Sequence, residues 1–150
     1  MDRVKIVYDF NGYLKYGYDQ PVPLSKTDCE IDSNGNEIVL SEGMDIRIYE
    51  IDYDVFGRQD NLYADGTAVC NPDGDGGFKW WFQINSLGIK HESDDPDFHL
   101  PELSVDEKRN IVYKGIEREI SLIGNGRDGI VKGQIEFYLR TLRELDQGEL

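Results

Sequence analysis

The chain has 150 residues and carries 30 acidic against 16 basic side chains, which gives a formal net charge of −14 at pH 7. A chain of this length is typical of one domain that buries a sizeable core without disulfides or metals, so we predict a single domain over residues 1–150. Nine tyrosines, six phenylalanines and two tryptophans favour pleated surfaces, and we therefore expect β-strands to dominate.

The negative charge is concentrated in the first two thirds of the chain. Residues 1–107 hold 23 acids and 8 bases, a net of −15, whereas residues 108–150 hold 7 acids and 8 bases, a net of +1. Phosphate groups need cations, so direct binding to nucleic acid or to an anionic membrane is disfavoured. A basic protein partner is favoured, because complementary charge accelerates association. The alternative is that the acidity only maintains solubility.

The two cysteines, Cys29 and Cys70, do not have a metal-type spacing and give no disulfide framework. The N-terminal residues lack the apolar run of a signal peptide, and no stretch has the apolar length that spans a bilayer. We therefore expect a cytoplasmic protein with free thiols and no membrane contact.

Asn-Gly pairs mark two predicted β-hairpins, because both central residues of a type I′ turn need positive φ angles. The first hairpin spans residues 3–18, where apolar and polar side chains alternate before Asn11-Gly12. The second spans residues 29–40 and has Asn34-Gly35 at its turn.

Three apolar segments between residues 44 and 85 predict a three-stranded antiparallel meander. Gly66, in the middle segment, suggests a bulge or bend. In the last segment Trp81 lies on the more polar face, where a later element covers it or it serves as a contact residue. The opposite face of that segment should meet the core, and it consists of Phe78, Trp80, Phe82 and Ile84.

The C-terminal part, residues 104–150, is mixed, and it follows an acidic surface loop over residues 91–103. Ser104 and Glu107 fit a capping box, which predicts that a helix begins at Val105. Residues 111–123 fit strand and helix templates about equally, and their Ile, Val and Tyr content favours a strand. Apolar residues at helical spacing predict a final helix from about residue 134 to 146.

These elements together predict an α+β fold. Antiparallel hairpins form a curled sheet or a small open, SH3-like barrel, and the C-terminal helix packs on it.

No catalytic motif for a nucleophile, a phosphate-cradling loop or a dinucleotide-binding loop is present, so a non-enzymatic protein is favoured over a hydrolase with an unrecognised site. Residues 52–63 resemble a calcium-binding loop only partly, because Phe56 and Tyr63 occupy two ligand positions. A solvated acidic loop is the simpler interpretation.

Our main functional prediction is an acidic protein-binding module that inhibits a basic partner, such as the immunity protein of a bacterial nuclease toxin. Its carboxylates would imitate phosphate and enter a cationic cleft, with a tryptophan as an apolar anchor. The predicted partner-binding residues are Asp52, Asp54, Asp60, Trp81, Asp94, Asp95 and Asp97.

The alternative prediction is a β-barrel protein that binds a divalent metal or a small ligand through the acidic loop. Imidazole and carboxylate groups suit zinc or manganese, although the spacing matches no known motif. The predicted ligands of that site are His91, His99, Asp95 and Asp97.

Overall fold

Strand pairing organises the first hundred residues, and two helices follow. The computed structural model describes residues 3–11, 20–73 and 75–150. The strands are β1 Val4–Val7, β2 Val22–Ser25, β3 Cys29–Ile31, β4 Glu37–Val39, β5 Asp45–Glu50, β6 Leu62–Cys70, β7 Trp80–Ile84 and β8 Lys90–His91, and the helices are α1 Val105–Ser121 and α2 Asp128–Asp146.

The chain divides into two compact units. We call Met1–Asp54 with Gln59–Leu100 the sheet unit, and Val55–Arg58 with Pro101–Leu150 the helical unit. The sheet unit contains 20 acids and 7 bases, a net of −13, and the helical unit contains 10 acids and 9 bases, a net of −1. The predicted α+β class is confirmed, while the prediction of a single domain stays a prediction.

The main sheet curls into a half-barrel and has the strand order β1-β5-β6-β7-β2, and β8 pairs with β6 beside this row. The meander of β5, β6 and β7 is antiparallel, as predicted. The pair β1–β5, however, is parallel, so the sheet is mixed and not purely antiparallel. A parallel pair needs a crossover connection of at least about a dozen residues, and the connection from Val7 to Asp45 exceeds this length.

The core of the sheet unit lies on one face of this sheet. Alternation along the strands buries every second residue, as the period-two pattern predicts. On β7, Trp80, Phe82 and Ile84 are buried as expected, whereas Phe78 precedes the strand and is only half-buried. The fully buried apolar residues of this core are Val22, Ile46, Ile48, Ala64, Ala68 and Phe82.

The two predicted hairpins have different outcomes. The hairpin at residues 29–40 is confirmed, since β3 and β4 pair antiparallel. The turn is not the expected type I′ turn, because Gly35 takes a positive φ of 80° and Asn34 does not. It closes with a 2.9 Å hydrogen bond from Asp32 N to Asn36 O. For the hairpin at residues 3–18, β1 forms, whereas the second arm lies outside the described residues.

In the helical unit, the capping box is confirmed. Ser104 Oγ accepts a 3.1 Å hydrogen bond from Glu107 N, and Glu107 Oε2 accepts a 2.7 Å hydrogen bond from Ser104 N. The predicted strand at residues 111–123 is wrong, because α1 continues to Ser121. Helical spacing lets Val112 enter a core with Phe56 and Leu145, and this packing outweighs the strand preference of its β-branched residues.

The predicted final helix is confirmed but begins earlier. It starts at Asp128 rather than near residue 134, and it ends at Asp146, two residues before Gly148 with its φ of 73°. Both cysteines are free, as predicted.

The backbone at Gly66 does not form the expected bulge, because its pairing with Ile46 on β5 and with Ile84 on β7 is in continuous register. Glycine is needed at this position because β6 and β7 approach each other closely. A Cβ at this position would lie 2.0 Å from the Gln83 carbonyl oxygen and 2.8 Å from the Phe82 ring. Glycine is therefore required by the distance between β6 and β7.

We expect Gly66→Ala to destabilise the sheet unit by at least about 1–3 kcal/mol, the usual cost of overpacking, because the obstructing atom belongs to the backbone and cannot rotate away. Urea denaturation measures this change. Gly133→Ala is the control, since a Cβ there meets nothing and should stabilise α2 by about 0.5–1 kcal/mol. Wild-type stability of Gly66→Ala would contradict the packing of β6 against β7.

Candidate functional site

Two acidic loops that are far apart in the sequence lie side by side in the sheet unit. The buried carboxylate of Asp60 accepts hydrogen bonds from Ser93 N, at 2.9 Å, and from Ser93 Oγ, at 2.6 Å. The backbone adds a 2.9 Å bond from Glu92 N to Asn61 O. These bonds attach the loop that follows β8 to the residues that precede β6. We call residues 50–54, 60 and 92–97 together the acidic edge.

Backbone contacts also close the first loop of the acidic edge, which contains residues 50–54 and 60. Asp60 N donates a 2.9 Å hydrogen bond to Asp52 O, and Tyr53 forms a bridge with Gln59. The side chains of Asp52 and Asp54 are half-buried in this turn. The structure therefore brings both of these predicted residues to the same edge as Asp60.

The second loop places its carboxylates in different environments. Asp94 and Asp97 are exposed. Asp94 Oδ2 accepts a 3.0 Å hydrogen bond from His91 N. Asp95 instead lies against Tyr63, whose hydroxyl is 2.7 Å from both carboxylate oxygens, and Lys90 Nζ is 3.4 Å away. Asp95 is thus engaged within the protein, in the same way as Asp60.

Trp81 lies apart from the acidic edge. On β6, His91 is opposite Leu62 and Trp81 is opposite Val69. These two positions are seven residues apart along β6, which corresponds to roughly 23 Å. Trp81 is half-buried on the face of the sheet opposite the core, so the structure does not combine it with the carboxylates as one compact site.

The predicted metal ligands are also dispersed. The His91 ring lies near Asp60, with its Nδ1 at 3.7 Å from Asp60 Oδ2, whereas Asp95 is bound to Tyr63 and Lys90. His99 is exposed and follows the last residue of the acidic edge, Asp97, by two positions. Within the described residues, no group of three or more His, Cys, Asp or Glu side chains is arranged to hold a metal ion.

A network of ion pairs and aromatic contacts covers the outer face of β5 and β6. Arg47 Nε and Nη2 donate to the two oxygens of Asp65, at 2.7 and 2.9 Å, and Arg3 Nη1 is 2.8 Å from Asp65 Oδ2. The Arg47 guanidinium also lies 4.0 Å above the Tyr63 ring, and Lys90 Nζ lies 5.3 Å from that ring. Tyr63 is only 2% exposed, although it is on the outer face.

Sequence reasoning missed this network. The alternation along β5 puts Arg47 on the outward face of its strand, but the sequence does not give the register that selects its acidic partner. The register of β5 against β6 pairs Arg47 with Asp65, and the parallel register of β1 pairs Lys5 with Arg47. Opposite charges at outward positions of neighbouring strands were the available signal.

The network shifts the pKa values of its members. Burial alone would raise the pKa of Asp65, but the hydrogen bonds and charge of Arg47, with the charge of Arg3, lower it below its ordinary value of 3.8. Burial, followed by the hydrogen bond to Asp95, raises the pKa of Tyr63. Tyr63 is therefore a protonated hydrogen-bond donor at neutral pH and not a base.

The environment of Cys29 does not activate its thiol. Burial, and then the charge of Glu37, raises the pKa of the Cys29 thiol. A raised pKa disfavours the thiolate, which is the nucleophilic form.

Comparison of the chain with known proteins adds no family or function, since no family model, curated protein or solved structure matches it. Neither of the described helices is long and apolar enough to cross a membrane.

The depressed pKa of Asp65 connects stability to pH. A carboxyl group with a lower pKa in the folded than in the unfolded state stabilises the fold above its unfolded pKa, and the contribution is lost as the pH falls through the folded pKa. We expect Asp65→Asn to lower the free energy of unfolding at pH 7 by about 1–3 kcal/mol, because Arg47 loses its carboxylate partner. The difference from wild type should shrink below pH 3.8.

Urea denaturation at a series of pH values from 7 downward measures this effect. Asp97→Asn is the control: this exposed side chain should change stability by less than about 0.5 kcal/mol. A destabilisation by Asp65→Asn that does not vary with pH would contradict the ion-pair explanation.

Proposed function

We propose that the protein is a non-enzymatic binding module that receives a basic protein partner at the acidic edge. The observation that carries the proposal is the pair of hydrogen bonds from Ser93 to Asp60. These bonds hold two acidic loops together in a sheet unit whose net charge is −13. Close carboxylates on a fixed backbone present negative potential to a cationic surface without a large ordering cost on binding.

The predicted carboxylates have two different roles in this proposal. Asp60 and Asp95 position the loops, because their oxygens are bound to Ser93, Tyr63 and Lys90. Asp52, Asp54, Asp94 and Asp97 present the negative charge to the partner. Trp81 contributes only to a partner that extends along the outer face of the sheet toward the end of β6.

The more specific proposal is that the protein inhibits a nuclease toxin of bacteria, as an immunity protein. The active cleft of a nuclease is cationic, because it binds the phosphate backbone. Carboxylates on two adjacent loops imitate neighbouring phosphates and occupy that cleft. Inhibition by this mechanism weakens at high salt, since exposed charge pairs are screened.

The proposal is tested with the immobilised protein in lysate of its native host, washed at low and then at high salt, with bound proteins identified by mass spectrometry. We expect a basic protein to be retained by the wild type and released by salt. The variant Asp52→Lys with Asp94→Lys and Asp97→Lys should bind that protein at least about tenfold more weakly and with a smaller salt dependence, because it reverses three charges at the interface.

A matched control reverses three exposed acids elsewhere in the sheet unit: Glu37→Lys, Asp45→Lys and Asp73→Lys. This variant has the same net charge and should retain most of the affinity. Equal losses of affinity in the two variants would show that only net charge matters. Unchanged affinity of the variant with lysines at positions 52, 94 and 97 would exclude the acidic edge as the binding surface. If the captured protein cleaves nucleic acid, the wild type should suppress that cleavage and the first variant should not.

A further inference from the structure

A cationic cleft lies on the same acidic unit, between β1, β5 and the turn that joins β3 to β4. It encloses about 590 Å³, within the range of small-molecule sites. Three of the seven basic residues of the sheet unit line this one cleft. Its lining residues are Arg3, Val4, Lys5, Asp32, Ser33, Asn34 and Arg47.

The register of the strands places these cations together. Lys5 and Arg47 are partners in the parallel pair β1–β5, so their side chains project from the same face. Arg47 and Arg3 are both held by Asp65, which is the carboxylate that pairs with them. A guanidinium has five N–H donors, and Asp65 takes two from Arg47 and one from Arg3, so both keep donors for a ligand.

Lys5, unlike Arg3 and Arg47, forms no ion pair with Asp65. It is exposed, and it forms no ion pair with any carboxylate in the part of the chain that the structure describes. Its backbone carbonyl accepts a 2.8 Å hydrogen bond from Ser33 N, which fixes the β3–β4 turn beside β1. No carboxylate of the described residues pairs with the ammonium group, and the opposite side of the cleft is polar.

The charges in and beneath the cleft favour an anion. Arg3, Lys5 and Arg47 contribute three positive charges, against one negative charge each from Asp65 and Asp32. Asp32 is also turned toward its own loop, since its Oδ1 accepts hydrogen bonds from Asn34 N and Asn36 N, at 2.9 and 2.8 Å. Among the residues that the structure describes, the local charge is therefore positive, although the unit as a whole is strongly negative.

We propose that this cleft binds a small hydroxylated organic oxyanion, a carboxylate or a phosphate ester. Lys5, Arg3 and Arg47 hold the anionic group, because guanidinium and ammonium groups donate charge-assisted hydrogen bonds to its oxygens. Ser33 and Asn34 donate to and accept from the hydroxyl groups of the ligand. The site is separate from the acidic edge and does not depend on the function proposed there.

The test is titration of the full chain with sodium phosphate and, separately, with sodium acetate, followed by heteronuclear NMR. Sodium chloride at matched ionic strength removes the general effect of salt. We expect saturable shifts at the backbone amides of Lys5, Ser33 and Arg47. Shifts with phosphate alone assign a phosphoryl ligand, shifts with acetate alone assign a carboxylate ligand, and shifts with both assign a general oxyanion site.

Lys5→Gln should weaken the binding of the responding anion by about tenfold, equivalent to about 1.4 kcal/mol, without loss of fold, since Lys5 is exposed. Lys26→Gln is the matched control: it removes the same charge from an exposed lysine that lies over the Phe78 ring, outside the lining of the cleft. No saturable shift with either anion would overturn the proposal. Equal affinity of Lys5→Gln and wild type would overturn it as well.

Discussion

The ion pair between Arg47 and Asp65 is the interaction on which the rest of the sheet unit depends. It joins β5 to β6 through two parallel hydrogen bonds, and its partners are 25% and 15% exposed. Such a partly desolvated pair is costly to break, because the remaining charge would lack compensation. Arg47 also covers Tyr63, which in turn holds Asp95 of the acidic edge. Asp65 holds Arg3 of the cationic cleft, so one pair organises both candidate sites.

Positive and negative side chains therefore form two separate surfaces on the same sheet. The sheet unit carries a net of −13, yet three of its bases converge on the cleft beside β1. Screening at physiological ionic strength limits the range of an exposed charge to about 8 Å. A ligand in the cleft thus responds to the nearby cations, whereas a protein partner that approaches the acidic edge responds to the carboxylates there. Net charge alone describes neither surface.

Sequence patterns correctly predicted the elements that depend on interactions between residues close in the sequence. The alternation in β7 predicted its buried face, Asn34-Gly35 predicted the hairpin of β3 and β4, and Ser104 with Glu107 predicted where α1 begins. Residues 111–123 were wrongly predicted as a strand, because β-branched residues there fit both templates and only the core around Val112 favours the helix. The conformation at Gly66 was equally undetermined, since a missing side chain indicates a bulge or a close approach alike.

The sequence by itself determined an acidic α+β chain with a β-meander, a second hairpin, a capped helix and free thiols, because periodicity, turn residues and caps act over a few neighbours. Only the tertiary structure decided which of the many carboxylates are bound within the protein, that Asp60 joins two acidic loops, and that Trp81 lies far along the sheet from them. The same is true of the cleft, where parallel pairing of β1 with β5 brings Lys5 beside Arg47. These arrangements follow from register between distant strands, and a shift of one residue would move each side chain to the opposite face.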